Sequence, residues 1–504
     1  MAGRDFFPVV DARAIRLHVS APTGTRIEDT GVYFSRVSDA IHRIVGADLD
    51  VIVDNIGIPP GTNLATSDNV TSSSADGELL IALKAGSEKG GKAYIRELRR
   101  VLPKEFPALE FYFQPADMMN QILNFGLPAP IDVKVFGLAK DADLHVVAKT
   151  LKDRVAAVRG AVDVHLQQRL DQPSLQIEVD RSRAAEVGMT EREVSDNLLI
   201  SASSSLMVSP NYWTDPRSGR NYSLVVQTPP HNLETLEDLA NTPMPGVGQG
   251  AVQYLSSVAQ IQEGKVPTLV THTNVQTTFD VMASVQDRDL GGVAADIRKI
   301  VDGMAPTLPK GVTIEIGGQA RTMDDTFLRL GLGLIGSVLL VYFILVINFQ
   351  SWTDPLIIIM ALPGAFCGIV WLLVATGTTF SVPSLMGAIM TVGVATANSI
   401  LVIAFANDQL AAGKNPVEAA IEAGFARLRP VLMTAFAMIV GMIPMSLGLG
   451  EGGEQNAPLG RAVIGGLVMA TLTTLIFVPV VFSLLRRRWE PARAEPGAEL
   501  LAAG

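Results

Sequence analysis

The chain has 504 residues, 48% of them hydrophobic and only 18% charged, with a mean hydropathy of +0.31. Globular chains carry about 25% charged residues, so these totals point to a membrane protein of up to about three domains. A net charge of −10 leaves no basic surface for nucleic acid, and the single cysteine, Cys367, excludes an internal disulfide.

The first 320 residues read as repeated βαβ units. The stretch AIRLHVSA from Ala14 alternates as a strand, Ile27 to Val45 has helical periodicity, and LDVIVDN is a strand again. GELLIALKAG, a helix over about 91–102 and ALEFYFQP repeat the pattern. Two such units make a split βαβ sandwich of ferredoxin-like type, expected over 1–130. IDVKVFG, a helix over about 142–158 and AVDVHLQQ, running on to SLQIEVD, begin a second one. Its other half comes much later, with TTFDVMASV, a helix over about 289–303 and VTIEIGG. The second subdomain is therefore expected over 131–180 and 271–320, with 181–270 inserted into it. The insert opens with a capping box, Thr190 and Glu193, ahead of an amphipathic helix.

Five apolar stretches follow Phe327, over roughly 328–349, 355–376, 382–406, 430–449 and 462–485. About 20 apolar residues cross a bilayer as a helix, so a transmembrane domain of five helices is expected over 328–488, with a tail over 489–504. The expected fold class is α+β: ferredoxin-like βαβ subdomains followed by an all-α bundle of five transmembrane helices. From Leu330 to Asn407 the one charged residue is Asp354, read as lying at a turn, so no span holds a carboxylate of its own. Arg486, Arg487 and Arg488 close the last span and place the C-terminus in the cytoplasm by the positive-inside rule. The 407–429 loop, with Lys414, Arg427 and Arg429, then lies inside. The 450–461 loop, with Glu451 and Glu454, and the first 327 residues lie outside. The N-terminal stretch MAGRDFFPVVDARAIRLHV lacks the apolar core of a signal peptide, so a preceding transmembrane helix is expected to be missing from this chain. The glycines of GLGLIG (331–336) and the pair Gly465–Gly466 read as points of close helix packing.

No catalytic constellation emerges. His18, His42, His145, His165, His231 and His272 lack ligand spacing and read as structural or surface residues. GVGQGA (246–251) does not open a helix and reads as a loop, and without a Walker A sequence ATP is not the expected energy source. Met118 and Met119 present soft metal ligands or simple packing groups. No cofactor, no metal site and no enzymatic activity are expected. One stretch stands apart: TVGVATANSILVIAFA, Thr391 to Ala406, carries Thr396, Asn398 and Ser399 in mid-span beside nothing that holds a charge. Such residues either face a polar site or join helices together.

LVYFILVINFQSWTDPLIIIMALP (340–363), RLRPVLMTAFAMIVGMIP (427–444) and PLGRAVIGGLVMATLTTLIFVPVVFSLLRRR (458–488) carry a resemblance, together with NVQTTFDVMASVQDRDLGGVAADI (274–297). With these the chain resembles the C-terminal half of the resistance–nodulation–division (RND) efflux permeases of the hydrophobe-efflux type, over nearly all its length. The resemblance implies an inner-membrane homotrimer with a large periplasmic part made of porter subdomains and a docking-type insert. It also implies proton antiport, a periplasmic adaptor, an outer-membrane channel and an N-terminal half missing from this chain. The implied function is multidrug efflux of small amphipathic organic compounds, with metal ions as the second substrate class. An inactive truncated half-permease and a non-transporting periplasmic assembly module are the alternatives.

In that family a proton relay pairs carboxylates of the N-terminal half with a lysine and a neighbouring asparagine. Asn398 matches the asparagine, but Ala397 stands where the lysine is usual. Arg427 and Thr434 match relay-associated positions, and Thr396 and Ser399 flank Asn398. These five are the expected relay residues, the neutral side of a polar site whose ionisable side lies in the missing half. The loop NIGIPPGTNLATSDNVTSSS (55–74) matches a substrate-gating loop in position, with Ile56, Ile58, Pro59 and Pro60 as its apolar contacts. It lacks the phenylalanines common there, and a plain surface loop is the other reading.

Overall fold

The computed structural model describes the chain except for residues 1–2, 9, 12, 59–71, 88, 245–251, 450–451 and 487–504. GVGQGA, Pro59, Pro60, Glu451, Arg487, Arg488 and the tail expected over 489–504 thus lie outside the described residues. The chain divides into two units, Met1–Gln168 with Leu269–Gly504, and Arg169–Thr268.

The first unit opens with β1 (Ala14–Ser20), α1 (Ile27–Val45), β2 (Leu49–Ile56), β3 (Asp76–Leu83), α2 (Gly91–Glu105) and β4 (Glu110–Gln114). The strands pair antiparallel in the order β2-β3-β1-β4, with Leu17 facing Leu79 on one side and Phe113 on the other. Alternation in β1 buries Ile15, Leu17 and Val19, and α1 lays Phe34, Val37 and Ile41 over them beside Leu98 and Leu102 of α2. Two βαβ halves with this strand order form the ferredoxin-like split βαβ sandwich that the sequence pattern calls for.

After the short helix α3 (Met118–Leu123) come β5 (Ile131–Gly137), α4 (Asp141–Ala156) and β6 (Ala161–Leu166). The chain then enters the second unit, with β7 (Gln172–Val179), α5 (Arg181–Glu186), α6 (Glu191–Ala202), β8 (Asn211–Thr214), β9 (Asn221–Leu224), α7 (Leu236–Ala240), β10 (Pro243–Met244), β11 (Gln253–Tyr254), α8 (Leu255–Val258) and β12 (Ala259–Val266). Its core gathers Ala184, Met189, Val194, Met244, Leu255 and Val258. The Thr190–Glu193 capping box is formed at the start of α6. SLQIEVD differs from its sequence reading as a continuation of the 131–180 segment. As β7 it pairs with β12, Val179 opposite Ala259, inside the second unit. Alternation specifies a strand and its faces but not its partner.

The first unit resumes with β13 (Thr271–Thr273), β14 (Gln276–Val285), α9 (Leu290–Met304) and β15 (Val312–Gly317). These complete a second sheet in which β14 lies between β5 and β6, and β15 pairs the other edge of β5. The order β6-β14-β5-β15 repeats the first sheet, with the second unit inserted after β6. Strand β15 runs directly into α10 (Gly318–Phe349), followed by α11 (Thr353–Ile359), α12 (Leu362–Ala375), α13 (Val382–Ala411), α14 (Pro416–Ser446), α15 (Ala457–Leu472) and α16 (Val478–Leu485). Among the described residues, five helical segments are long and apolar enough to cross a membrane: Gly318–Phe349, Thr353–Ala375, Val382–Ala411, Pro416–Ser446 and Ala457–Leu485. A π-helical turn, Thr473–Phe477, joins α15 to α16.

Close packing follows only part of the expected glycine pattern. A Cβ at Gly465 would come 2.5 Å from the Gly368 carbonyl oxygen, and one at Gly466 2.5 Å from Thr391. Gly331, Gly333 and Gly336 differ: a Cβ there would meet nothing within 4 Å, so these three glycines make no close helix contact, although Leu334 between them packs against the core of Leu362 and Val392.

Candidate functional site

Helix α13 buries one long face, and that face carries the polar residues of the Thr391–Ala406 stretch. Asn398 is 5% exposed, and its Oδ1 accepts a hydrogen bond from Thr434 Oγ1 of α14 at 3.2 Å. The Thr434 hydroxyl is also 3.0 Å from the Val431 carbonyl of its own helix. Among the described residues no acceptor meets Asn398 Nδ2. One residue before it, Ala397 is exposed.

Arg427 lies about two turns from Thr434 on α14, and Phe405 about two turns from Asn398 on α13. The Arg427 guanidinium sits 5.2 Å from the Phe405 ring centroid, and among the described residues its Nε has no hydrogen-bond partner. Asn398–Thr434 and Phe405–Arg427 are thus two rungs between the same pair of helices. Thr396 and Ser399 turn elsewhere. Thr396 Oγ1 donates to the Val392 carbonyl at 2.8 Å within α13, and Ser399 Oγ meets Thr474 Oγ1 of the π-helical turn at 2.9 Å. Both acceptors of the Thr396 hydroxyl, the Val392 and Gly393 carbonyls, lie in its own helix, whereas the Thr434 hydroxyl also reaches across to α13.

Asp354, read from the sequence as lying at a turn, is helical instead. It lies in the first turn of α11, the start of the second span, and is buried. Arg486 Nη2 reaches its two oxygens at 2.7 and 2.9 Å, and Asn407 Nδ2 donates to Oδ2 at 3.1 Å. The cluster ties α11, α13 and α16 together. Its sequence signal was Asp354 standing alone among apolar residues, with the run Arg486–Arg488 at the end of the last span.

Outside the apolar helices, a cleft of about 330 Å³ lies between the two sheets of the first unit. Phe6, Ile95, Phe113 and Pro115 give it apolar walls, and Arg99 and Asp117 give it charged ones. Arg99 is fixed by Asp163, Nε to Oδ1 at 2.8 Å, and by Gln286. Burial pushes the Asp5 carboxyl above its usual range, although the Leu290 N–H donates to it at 2.7 Å. Sequence reasoning missed this cleft, since its walls come from segments more than 100 residues apart.

Of the expected loop residues, Ile56 and Ile58 lie away from it. Ile56 ends β2 and packs against the first core, and Ile58 is 70% exposed. Met118 and Met119 are exposed on α3. Among the described residues no three of His, Cys, Asp and Glu group to hold a metal ion. Tyr112 stacks between His18 and His165, with centroids 4.3 and 3.8 Å away, so two histidines join the sheets by packing.

Repeated split βαβ sheets on a five-helix apolar bundle with a polar contact in mid-helix are the marks of a membrane permease. A family model described as the AcrB/AcrD/AcrF family matches residues 1–486, and the chain belongs to that family, so its resemblance to RND permeases holds. The swarming motility protein SwrC of Bacillus subtilis (strain 168) is 31% identical over 322 residues, 64% of this chain and 30% of that protein. The nickel-cobalt-cadmium resistance protein NccA of Alcaligenes xylosoxydans xylosoxydans is 29% identical over 509 residues, 99% of this chain and 46% of that one. The multidrug resistance protein MdtC of Erwinia tasmaniensis is 27% identical over 426 residues, 82% and 40% respectively. The crystal structure of a heavy metal efflux pump aligns with a TM-score of 0.79 and 26% identity, covering 97% of this chain and 48% of that one. The chain spans less than half the length of each of these proteins.

Proposed function

We propose that this chain is the C-terminal half of a proton-driven RND efflux permease of the bacterial inner membrane. In this reading the N-terminal half supplies the relay carboxylates. The observation that carries it is the Asn398–Thr434 contact, with the Asn398 amide donor unmet beside the exposed Ala397. An amide serves either protonation state of a facing carboxyl, because Nδ2 donates to the ionised form and Oδ1 accepts from the protonated one. Thr434 holds the amide in place, and Arg427, stacked on Phe405, keeps a positive charge two turns away. Thr396 and Ser399 serve as helix-joining groups in this account. Family likeness further supports a homotrimer working with a periplasmic adaptor and an outer-membrane channel. In that arrangement the two sheets and the second unit are periplasmic porter and docking parts, and the C-terminus is cytoplasmic.

Small amphipathic organic compounds are the substrate class we infer, taken up in the cleft between the two sheets. Its volume and its aromatic side chains, set among charged ones of both signs, suit such ligands. Metal ions are the second reading, favoured by the likeness to the nickel-cobalt-cadmium resistance protein NccA and to the heavy metal efflux pump. The test is transport into proteoliposomes holding this chain with an N-terminal half under an imposed pH gradient. A lipophilic dye should move and cobalt or zinc should not. Metal transport without dye transport would decide for the second reading, and transport of neither would leave an inactive half-permease or an assembly module.

A further inference from the structure

Asp132, on β5, is fully buried, and neither of its oxygens lies within hydrogen-bond distance of a donor among the described residues. The nearest cation, Lys134, holds its Nζ 3.7 Å from Oδ2 and is itself 32% exposed. Buried carboxylates are ordinarily met by several donors. Asp280 on β14 shows the contrast, since its Oδ2 accepts from Gln168 Nε2 at 2.6 Å and from Thr271 Oγ1 at 3.0 Å. The register sets Asp280 opposite Lys134 and Met282 opposite Asp132, so the two carboxyls are diagonal neighbours on one face of the sheet. Two like charges so placed disfavour ionisation of the one that lacks donors. Burial first, and then the charge of Asp280, push the Asp132 carboxyl up to about 7, against the opposing pull of Lys134.

The place of this carboxyl in the fold gives it a consequence. Gly317, the last residue of β15, is opposite Asp132, and a Cβ there would lie 3.6 Å from Asp132 Oδ2. The next residue, Gly318, begins α10 at φ +68°, and the Gln319 N–H donates to the Pro130 carbonyl at 2.9 Å. Asp132 therefore lies under the seam between the sheet and the first membrane-crossing helix. The charged and titratable groups on its face are Lys134 on β5, Asp280 on β14, His165 on β6, and Glu315 on β15, which pairs with Arg321 of α10. Burial lowers His165 to about 4, so that ring is neutral near pH 7.

We propose that Asp132 is a proton-binding site outside the membrane, loaded when the sheet closes against the start of α10 and emptied when that seam admits water. The site goes beyond the transport reading and does not depend on it. Between the ordinary 3.8 and about 7 the closed seam holds a proton that an opened one releases. Its stability therefore falls as pH rises through that window and levels off above it.

Infrared difference spectroscopy on the full chain in lipid nanodiscs, stepped between about pH 6 and about pH 8, reads the carboxyl directly. The expected result is a protonated-carboxyl carbonyl band that is lost on the alkaline step and is absent from Asp132→Asn. Asp280→Asn should move the midpoint of that band to lower pH, and Lys134→Gln to higher pH; a merely structural carboxyl would show neither shift. A band that survives Asp132→Asn, or a midpoint that neither neighbouring substitution moves, overturns the proposal. Loss of the band at about pH 6 on adding zinc ions alone would also overturn it, in favour of a metal site.

Discussion

Removing one partner of the Asp354–Arg486 pair leaves the other charge buried, and the two single substitutions should not cost the same. Asp354 is 3% exposed at its side chain and Arg486 23%, so Arg486→Leu strands the deeper charge. Loss of one partner in a buried pair costs about 3–5 kcal/mol, and Arg486→Leu belongs at that end of the scale. Asp354→Leu should cost less, because the Arg486 guanidinium has water to turn to. Thermal unfolding in detergent compares the two; equal losses would mean that burial does not decide the cost. Asp354 also marks what a single residue does not disclose. A lone acid at the edge of an apolar run reads as a turn until the fold brings Arg486 and Asn407 to it. Asn398 was easier to find, because an amide inside a span needs a partner wherever the helices lie, and Thr434 supplies one.

At the scale of elements, helix contacts in the bundle turn on glycines whose neighbours the sequence does not identify. A Cβ at Gly368 would lie 2.3 Å from the Gly465 carbonyl oxygen, so Gly368→Ala must push α12 and α15 apart. Overpacking of this kind costs about 1–3 kcal/mol. Gly331→Ala, with nothing within 4 Å, should change stability by no more than about 0.5 kcal/mol. Unfolding midpoints of both variants check the pair, and an unaffected Gly368→Ala would show that the two helices give way freely. Periodicity made the five spans and the strands of both sheets legible, since burial on one face or all round leaves its mark on the sequence. Pairing left no such mark. Strand β7 alternates as well as any other, yet its partner β12 lies some 80 residues on, and only the closing of the second unit brings the two together.

For the whole molecule, the repeated split βαβ architecture and the family follow from long patterns spread over nearly the entire chain. The cleft and the seam at Asp132 do not, because each is built from segments distant in sequence whose residues look ordinary one at a time. The central claim is that the α13–α14 rung faces a proton relay completed by another half of the permease. Asn398→Leu tests it most directly, being close in volume but unable to hydrogen-bond, in proteoliposomes holding both halves under an imposed pH gradient. An unmet buried polar group costs about 1–3 kcal/mol, enough to unbalance a relay without unfolding a bundle. The account predicts that this variant assembles in the membrane with a normal unfolding midpoint and that its proton-coupled efflux is lost. Efflux at the parent rate, with or without a change in thermal stability, would contradict the account and leave Asn398 as a residue that only joins α13 to α14.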